Sequence, residues 1–405
     1  MNIEFIESIH NIDRQQWNSL WCPQDETDYP FCKHEFLAAL EDSGSTSHHT
    51  GWTPCHLVVK NEKKLIAALI LYEKSHSYGE YVFDWAWADA YSRHGMNYYP
   101  KLVNAIPFTP TTGRRIALDR SLDKTQTNDL LLSIDTAIKH RLNEINGSGF
   151  HCLFPDKNGQ RLCHTLNYAQ RLGLQYHWFN QDYTSFDDFL NTFNSRKRKA
   201  LKKERKKVEQ HGLRIALKQA CDVSDEEWQL FYLLYHRTYL KRSGRHGYLG
   251  ESFFYRLALS LPDHTLLATV YDGDEFIAGA LYLQDNDTLY GRYWGTQKDI
   301  DGLHFETCYY QGIEYAIKKG LARFDPGAQG EHKIQRGFTP VLTCSHHWLA
   351  QPDFYDAVGK FLQEEKTYIA DALENTRAYL PFKENTAIAE KDFLLLTRHV
   401  KPPDE

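Results

Sequence analysis

The sequence predicts a mixed α/β (α+β) protein built from two similar halves. Three observations predict it. At 405 residues the chain is longer than the roughly 150–200 residues that one hydrophobic core usually serves. Short β-rich runs alternate with stretches of helical period. A succession of hairpin, strand, helix and strand occurs twice, as a duplicated unit would give. The halves are expected at 1–185 and 186–405.

In the first half, residues 55–60 and 65–73 are β-rich and flank the polar Asn61-Glu62-Lys63-Lys64, which reads as a hairpin. Residues 81–85 follow as a short strand, and 89–113, rich in Tyr, Pro and Gly, as an irregular segment. Residues 127–143 are expected to be helical, because Leu131, Ile134, Ile138 and Leu142 share one face. Gly147 and Gly149 end that helix, and 151–154 resume as a strand.

In the second half, residues 265–271 and 276–284 flank Asp272-Gly273-Asp274-Glu275, where Asp-Gly suits the turn that matches strand twist. A strand at 288–294 comes next. Residues 305–319 place Phe305, Cys308, Tyr309, Gly312, Ile313 and Ala316 at helical spacing, with Gly320 as the stop. Residues 323–325 read as a buried strand entering a Pro-Gly turn. The segment 353–379 reads as one amphipathic helix, expected to clamp the halves together.

Composition narrows the chemistry. A net charge of −6 does not point to nucleic acid or an acidic membrane as partner of the whole molecule, so any anion site must be local. The local candidate is 194–212, with Arg196, Lys197, Arg198, Lys199, Lys202, Lys203, Arg205, Lys206 and Lys207 against Glu204 and Glu209. Phe189, Phe193, Leu201 and Val208 give it an apolar seam, so it predicts a basic helix whose charged face is either solvated or bound to phosphates or RNA. The eight cysteines form no CxxC pair and mostly adjoin apolar residues, which suits buried free thiols in a reducing compartment. The opening Met-Asn-Ile-Glu-Phe lacks the pattern of a secretory signal, and the longest apolar stretch, 65–72, falls well short of the roughly 20 residues a membrane helix needs. A cytoplasmic protein without a membrane span is expected.

Three clusters could carry chemistry. The densest runs from Phe324 to Phe338: a strand ends at Asp325 in a Pro-Gly turn, Gln329 follows, and a short polar helix carries Glu331, His332, Lys333 and Arg336 before Gly337. Such a turn can present N–H groups and cations to an anion or a developing oxyanion, or it can be a tight turn with its charges in water. The second holds Asp84, Trp85, Trp87, His94, Tyr98, Tyr99 and Lys101, which suits a partly polar pocket or an aromatic core under a loop. Core burial is the expected fate of Trp85 and Trp87 individually. The third joins Arg292, Tyr293 and Trp294 to His304 and Glu306, where Glu306 either favours a helix N-terminus or serves as base for an amine. No metal site is expected: His34-Glu35 has Ala at 38, and neither a serine-hydrolase elbow nor a phosphate-binding loop occurs.

These residues carry a resemblance. Phe83-Asp84-Trp85-Ala86-Trp87, Tyr98-Tyr99-Pro100-Lys101, Pro107-Phe108-Thr109-Pro110, Gln175-Tyr176-His177-Trp178, Tyr293-Trp294-Gly295, Leu303-His304-Phe305-Glu306, Tyr309-Tyr310-Gln311-Gly312 and Pro326-Gly327-Ala328-Gln329-Gly330-Glu331-His332-Lys333 resemble, in order and over nearly the whole chain, the FemAB-like N-acyltransferases of the GNAT superfamily. The resemblance implies tandem GNAT-like domains and transfer of an acyl or aminoacyl group to an amine, on a small molecule or a cell-wall precursor. In the related aminoacyltransferases an amine of a peptidoglycan precursor attacks an aminoacyl-tRNA ester, and Lys333 resembles the late lysine that neutralises charge there. Catalytic roles are implied for Lys333, Glu306, His332 and Glu331. Substrate contacts are expected from Asp84, Trp85, His94, Tyr98, Tyr99, Lys101, Arg292, Tyr293, Trp294, Asp325, Gln329 and Arg336, with tRNA on the helix from Arg196 to Lys207. The sequence departs from CoA-dependent relatives at Gly295-Thr296-Gln297-Lys298-Asp299-Ile300-Asp301-Gly302, which lacks the glycine-rich pyrophosphate loop. The co-substrate is therefore acyl-CoA or aminoacyl-tRNA. A non-catalytic module recognising precursors or RNA is the reading from a different class.

Overall fold

The computed structural model describes residues 1–23, 27–328 and 330–384. The chain divides into two compact units, Met1–Gly173 with Thr343–Ala370, and Leu174–Leu342 with the residues from Asp371 on.

The first unit holds two sheets. One is antiparallel, ordered Asn2–Ile6, His56–Asn61, Lys64–Leu69 and Ile116–Leu118. The β-rich run expected at 65–73 is in fact two strands. It breaks at Ile70, whose carbonyl accepts from Asn104 Nδ2 at 2.7 Å, and Leu71–Lys74 joins the other sheet. A buried polar side chain thereby takes over a ladder acceptor at the point where the chain changes sheets. The helix Lys124–Glu144 packs its Leu130, Leu131, Ile134, Ile138 and Leu142 stripe on the core. It opens on a capping box between Asp123 and Gln126.

Two readings of the first half change. Residues 81–85 form no strand; they lead into the helix Trp85–Arg93, which turns Trp87 inward and leaves Trp85 exposed against Tyr78. The segment 89–113 is not wholly irregular, since it contains the buried strand Lys101–Asn104. The long helix Pro352–Arg377 sets Val358 and Leu362 against Trp87 and Tyr91 within this unit.

The units share one pairing series. In the first, Trp52–Pro54 pairs antiparallel with Leu71–Lys74, which pairs antiparallel with Lys101–Asn104, which pairs parallel with Gly149–Leu153, which pairs antiparallel with residues 345–349. In the second, Thr265–Asp272, Glu275–Gln284, Thr288–Thr296, Arg323–Asp325 and residues 178–179 repeat it: antiparallel, antiparallel, parallel, antiparallel. The duplication inferred from the order of elements is therefore present in the hydrogen bonding. The hairpin turn at Gly273 has φ +59°, as Asp-Gly chemistry favours.

The helix expected at 305–319 is broken into Leu303–Phe305, a π turn at Glu306–Tyr310 and Gln311–Lys319. The buried Tyr282 hydroxyl donates to the Thr307 carbonyl, inserting a side chain into the helical ladder, which widens it locally. Among the described residues no helix is long and apolar enough to cross a membrane.

Candidate active site

The second unit's parallel pair stops early. Thr288–Thr296 pairs with Arg323–Asp325 only through Tyr290↔Asp325, and on the other side pairing runs only through Phe324↔Trp178. Asp325 therefore ends the ladder with Arg292 on one flank and His177 on the other. Arg292 Nη2 donates to Asp325 Oδ2 at 3.2 Å, and His177 Nε2 lies 3.6 Å from Oδ1. His177 Nε2 also sits 3.2 Å from Gln175 Oε1, so facing two oxygens it carries the proton. Burial works against the Asp325 charge, yet Arg292 and His177 hold its pKa well below the usual carboxylate range. Burial also lowers the His177 pKa, to about 3, so its imidazole stays neutral.

From Asp325 the chain turns on itself. The Gly327 N–H donates to Asp325 Oδ1 at 2.8 Å, and Gly327 has φ +88°, a conformation that favours glycine. A 3₁₀ helix, Glu331–Arg336, follows, bounded by Gly330 at φ +101° and Gly337 at φ +87°. Lys333 and Ile334 are buried in it, and Glu331 and His332 are exposed. A Cβ at Gly337 would stand 2.6 Å from Phe189, so glycine is required there by space as well as by angle.

Lys333 is 2% exposed. Its ammonium donates to the carbonyls of Gly327 at 2.6 Å and Ala328 at 3.4 Å. Burial lowers its pKa to about 8; Asp325 opposes the shift and Arg292 adds to it. Two of three ammonium donors thus face backbone dipoles, a weaker match for the charge than a hydrogen-bonded carboxylate.

The 3₁₀ helix is braced from the basic helix, Ser195–Glu209. Arg336 donates to Glu204 from Nη2 at 2.6 Å and Nε at 3.1 Å, and its guanidinium stacks 3.4 Å from the Phe305 ring centre. Tyr310 donates its hydroxyl to the same Glu204 carboxylate. His332 Nε2 and the Tyr309 hydroxyl are 3.0 Å apart, and burial, then Arg336 and Lys333, lower the His332 pKa. Glu306 is locked: Arg205 donates to both of its oxygens at 2.9 and 2.7 Å, and Gln311 Nε2 donates at 2.9 Å. Tyr293 packs on Tyr235, and Trp294 meets His304 edge-on. Gln329 lies outside the described residues.

The first unit gathers a second set. Lys101 is fully buried and donates to Ser77 Oγ at 2.9 Å, to Glu80 at 2.8 Å and to Asp84. Tyr98 donates to Asp84 Oδ2 at 2.7 Å, and Tyr99 meets Ser77 at 2.8 Å. Burial would neutralise Lys101, but Asp84 and Glu80 raise its pKa to about 12. Behind Tyr98, His151 and His347 share a 2.7 Å contact between their Nδ1 atoms, with Ser345 Oγ 2.8 Å from His347 Nε2. His94 and Trp85 do not join them: His94 is exposed, with Nδ1 on the Ala90 carbonyl at 2.8 Å, and Trp85 is exposed as well.

Glu80, Ser77, Glu204 and the His151–His347 pair were not anticipated as site residues, and Arg205, expected among the cations offered to tRNA, is instead engaged by Glu306 and Glu314. Gln175 and His177 had a readable signal, because strand alternation sets them opposite the core residues Tyr176 and Trp178. Glu204 had a fainter one, as an acid within a run of bases.

Comparisons with known proteins follow the fold. FemX has a similar structure at 12% identity and a TM-score of 0.52, covering 89% of this chain and 100% of FemX. So does the C-terminal domain of a protein from Agrobacterium fabrum assigned as a lysylphosphatidylglycerol synthetase, at 10% identity and a TM-score of 0.50, covering 89% and 97%. These likenesses show a fold shared with FemX and with that domain. A search of curated proteins gave no significant match. With residues 8–384 matched, the chain belongs to the FemAB-like family, described as peptidoglycan biosynthesis/recognition.

Proposed function

We propose that this protein transfers an acyl or aminoacyl group to an amine, the acceptor being a cell-wall precursor, at the Asp325–Arg336 turn of the second unit. The observation that carries the reading is the buried Lys333 ammonium, held by backbone carbonyls and with its pKa lowered to about 8. Its third N–H is the donor offered to substrate. As the amine attacks the donor carbonyl, charge develops on the carbonyl oxygen, and a desolvated cation stabilises that charge far better than water does. The neutral His332 takes the proton released by the attacking nitrogen and returns it to the departing oxygen or sulfur, so the transfer balances. Asp325, Arg292 and His177 hold the turn in place. Glu306, engaged by Arg205 and Gln311, is a strut on this reading, and Arg336 orients the 3₁₀ helix through Glu204.

The donor side favours an aminoacyl ester over CoA. The loop at 295–302 carries Asp299 and Asp301, whose side chains are 78% and 83% exposed, and its Lys298 is engaged by Asp272 at 2.8 Å and Glu275 at 2.6 Å. Asp299 and Asp301 are themselves paired with Lys241 at 2.6 Å and Lys207 at 2.8 Å, and with the loop's own lysine engaged no cation of the loop is left for a pyrophosphate. The exposed Lys199, Lys203 and Lys206 of the basic helix present cations that suit an RNA backbone. Thermal unfolding with aminoacyl-tRNA and with CoA thioesters discriminates: stabilisation by charged tRNA supports the reading, and stabilisation by CoA thioesters alone overturns the donor assignment.

A further inference from the structure

We propose that Cys22 and Cys32, in the first unit, form a dithiol site that hydroperoxides oxidise to a disulfide. The first helix, Arg14–Trp21, ends at Cys22, whose N–H donates to the Asn18 carbonyl at 2.8 Å. Cys32 closes the 3₁₀ turn Pro30–Cys32 and is anchored to the same helix: the Trp17 indole donates to the Cys32 carbonyl at 2.8 Å, and the His34 N–H donates to Asn18 Oδ1 at 2.9 Å. The two backbones are thereby fixed by one rigid element. Their sulfurs lie 3.7 Å apart, in contact, and both face the Tyr29 carbonyl, at 3.6 and 3.3 Å. Reaching the S–S length of about 2.05 Å needs a closure of roughly 1.7 Å, within the range of side-chain rotation.

The pair is asymmetric in the way such chemistry requires. Cys22 is partly exposed and Cys32 fully buried. Near Cys22, Arg114 donates to the Trp21 carbonyl at 2.8 Å, and Lys33, next to Cys32 in the chain, is paired with Asp28 at 2.6 Å. The hydrogen bond from Cys32 lowers the Cys22 pKa; burial and Asp28 oppose this, and Lys33 and Arg114 assist it. Burial pushes the Cys32 thiol up. Cys22, the more exposed of the two, is therefore the attacking sulfur and Cys32 the resolving thiol.

The chemistry closes in two steps. The Cys22 sulfur attacks the terminal peroxide oxygen, the O–O bond breaks, and the alkoxide leaves as alcohol with a proton from water, giving Cys22 sulfenic acid. Cys32 then attacks that sulfur, the S–O bond breaks, and hydroxide leaves with the Cys32 proton as water. Two thiols lose two electrons and one peroxide gains them. The disulfide closes the chain from 22 to 32 beside an 840 Å³ cavity walled by Leu20, Pro23 and Arg114. Exposed Cys221 lacks such a partner among the described residues and serves as an internal control.

The test uses the whole chain, reduced, then titrated with hydrogen peroxide and read by intact mass and peptide mapping. The expected result is loss of about 2 Da, a cross-linked Cys22–Cys32 peptide formed before Cys221 is modified, and reversal by dithiothreitol. In C32S, dimedone traps a sulfenic acid at Cys22. Oxidation of Cys221 while Cys22 and Cys32 stay reduced, or passage of Cys22 to the sulfinic acid without a cross-link, overturns the proposal. The wild-type map decides the matter alone if a variant does not fold.

Discussion

The Lys333 ammonium donates to the Gly327 carbonyl at 2.6 Å. The Gly327 N–H is itself held by Asp325, so the residue whose carbonyl faces the cation is tied to the turn through its other peptide unit. The titration of Lys333 is therefore a direct reading of the site.

The Lys333 side-chain carbon signal, assigned by comparison with Lys333→Met, is expected to titrate near pH 8 while exposed lysines titrate near their usual value of about 10.4. Since its folded pKa lies below the ordinary 10.5, the unfolded chain binds more protons between these values. Stability then rises with pH across that window through Lys333, and Lys333→Met lacks this increment. A Lys333 midpoint above 10 contradicts the geometry.

Asp325→Asn removes the charge that opposes burial at Lys333. The Lys333 midpoint should then fall below about 8 in the same titration. An unchanged midpoint means that Asp325 only shapes the turn.

Glu204→Gln should weaken the brace on the 3₁₀ helix. Hydrogen bonds to charged groups contribute about 1.5–3 kcal/mol each, less where solvent competes, and the Glu204 and Arg336 side chains are 27% and 12% exposed. A urea-unfolding double-mutant cycle with Arg336→Met is expected to show coupling of about 1–2 kcal/mol. Additive losses would show that the two side chains are not coupled.

Lys101→Met leaves Glu80 and Asp84 buried without their cation, which costs about 3–5 kcal/mol. Burial already raises the Glu80 pKa to about 7 although Lys101 pulls it down, so losing Lys101 raises it further. A raised carboxyl pKa means that the folded chain binds more protons than the unfolded one, so stability falls as pH rises above the ordinary 4.5. Urea unfolding should show the variant's deficit widening from pH 5 to pH 8; a constant deficit contradicts the assignment.

Much of this molecule is legible in its sequence because period and punctuation are local. Leu131, Ile134, Ile138 and Leu142 announce their helix, Asp272-Gly273 its hairpin, and Gly337 the end of the Lys333 helix. What escapes is set by distant partners. Nothing near Ile70 signals that Asn104 will take its carbonyl and split a strand, and nothing near Thr307 signals that Tyr282 will open a π turn. The site divides along the same line. Lys333 and Asp325 stand in one motif, whereas Glu204 reaches Arg336 across 132 positions and the first unit's Lys101 finds Glu80 across 21. Charge on a helix shows in sequence, but which charges are already engaged does not: Arg205 is bound by Glu306 and Glu314, while Lys199 stays exposed.

The most direct measurement is transfer itself. Purified protein is incubated with a nucleotide-linked peptidoglycan precursor and either aminoacyl-tRNA or acyl-CoA, and the precursor is weighed by mass spectrometry for wild type and Lys333→Ala. The account predicts amide formation with charged tRNA, reduced about 10²–10³-fold in a Lys333→Ala variant whose circular dichroism shows it folded. Full-rate transfer by a folded Lys333→Ala variant, or no transfer by wild type from either donor, would contradict it.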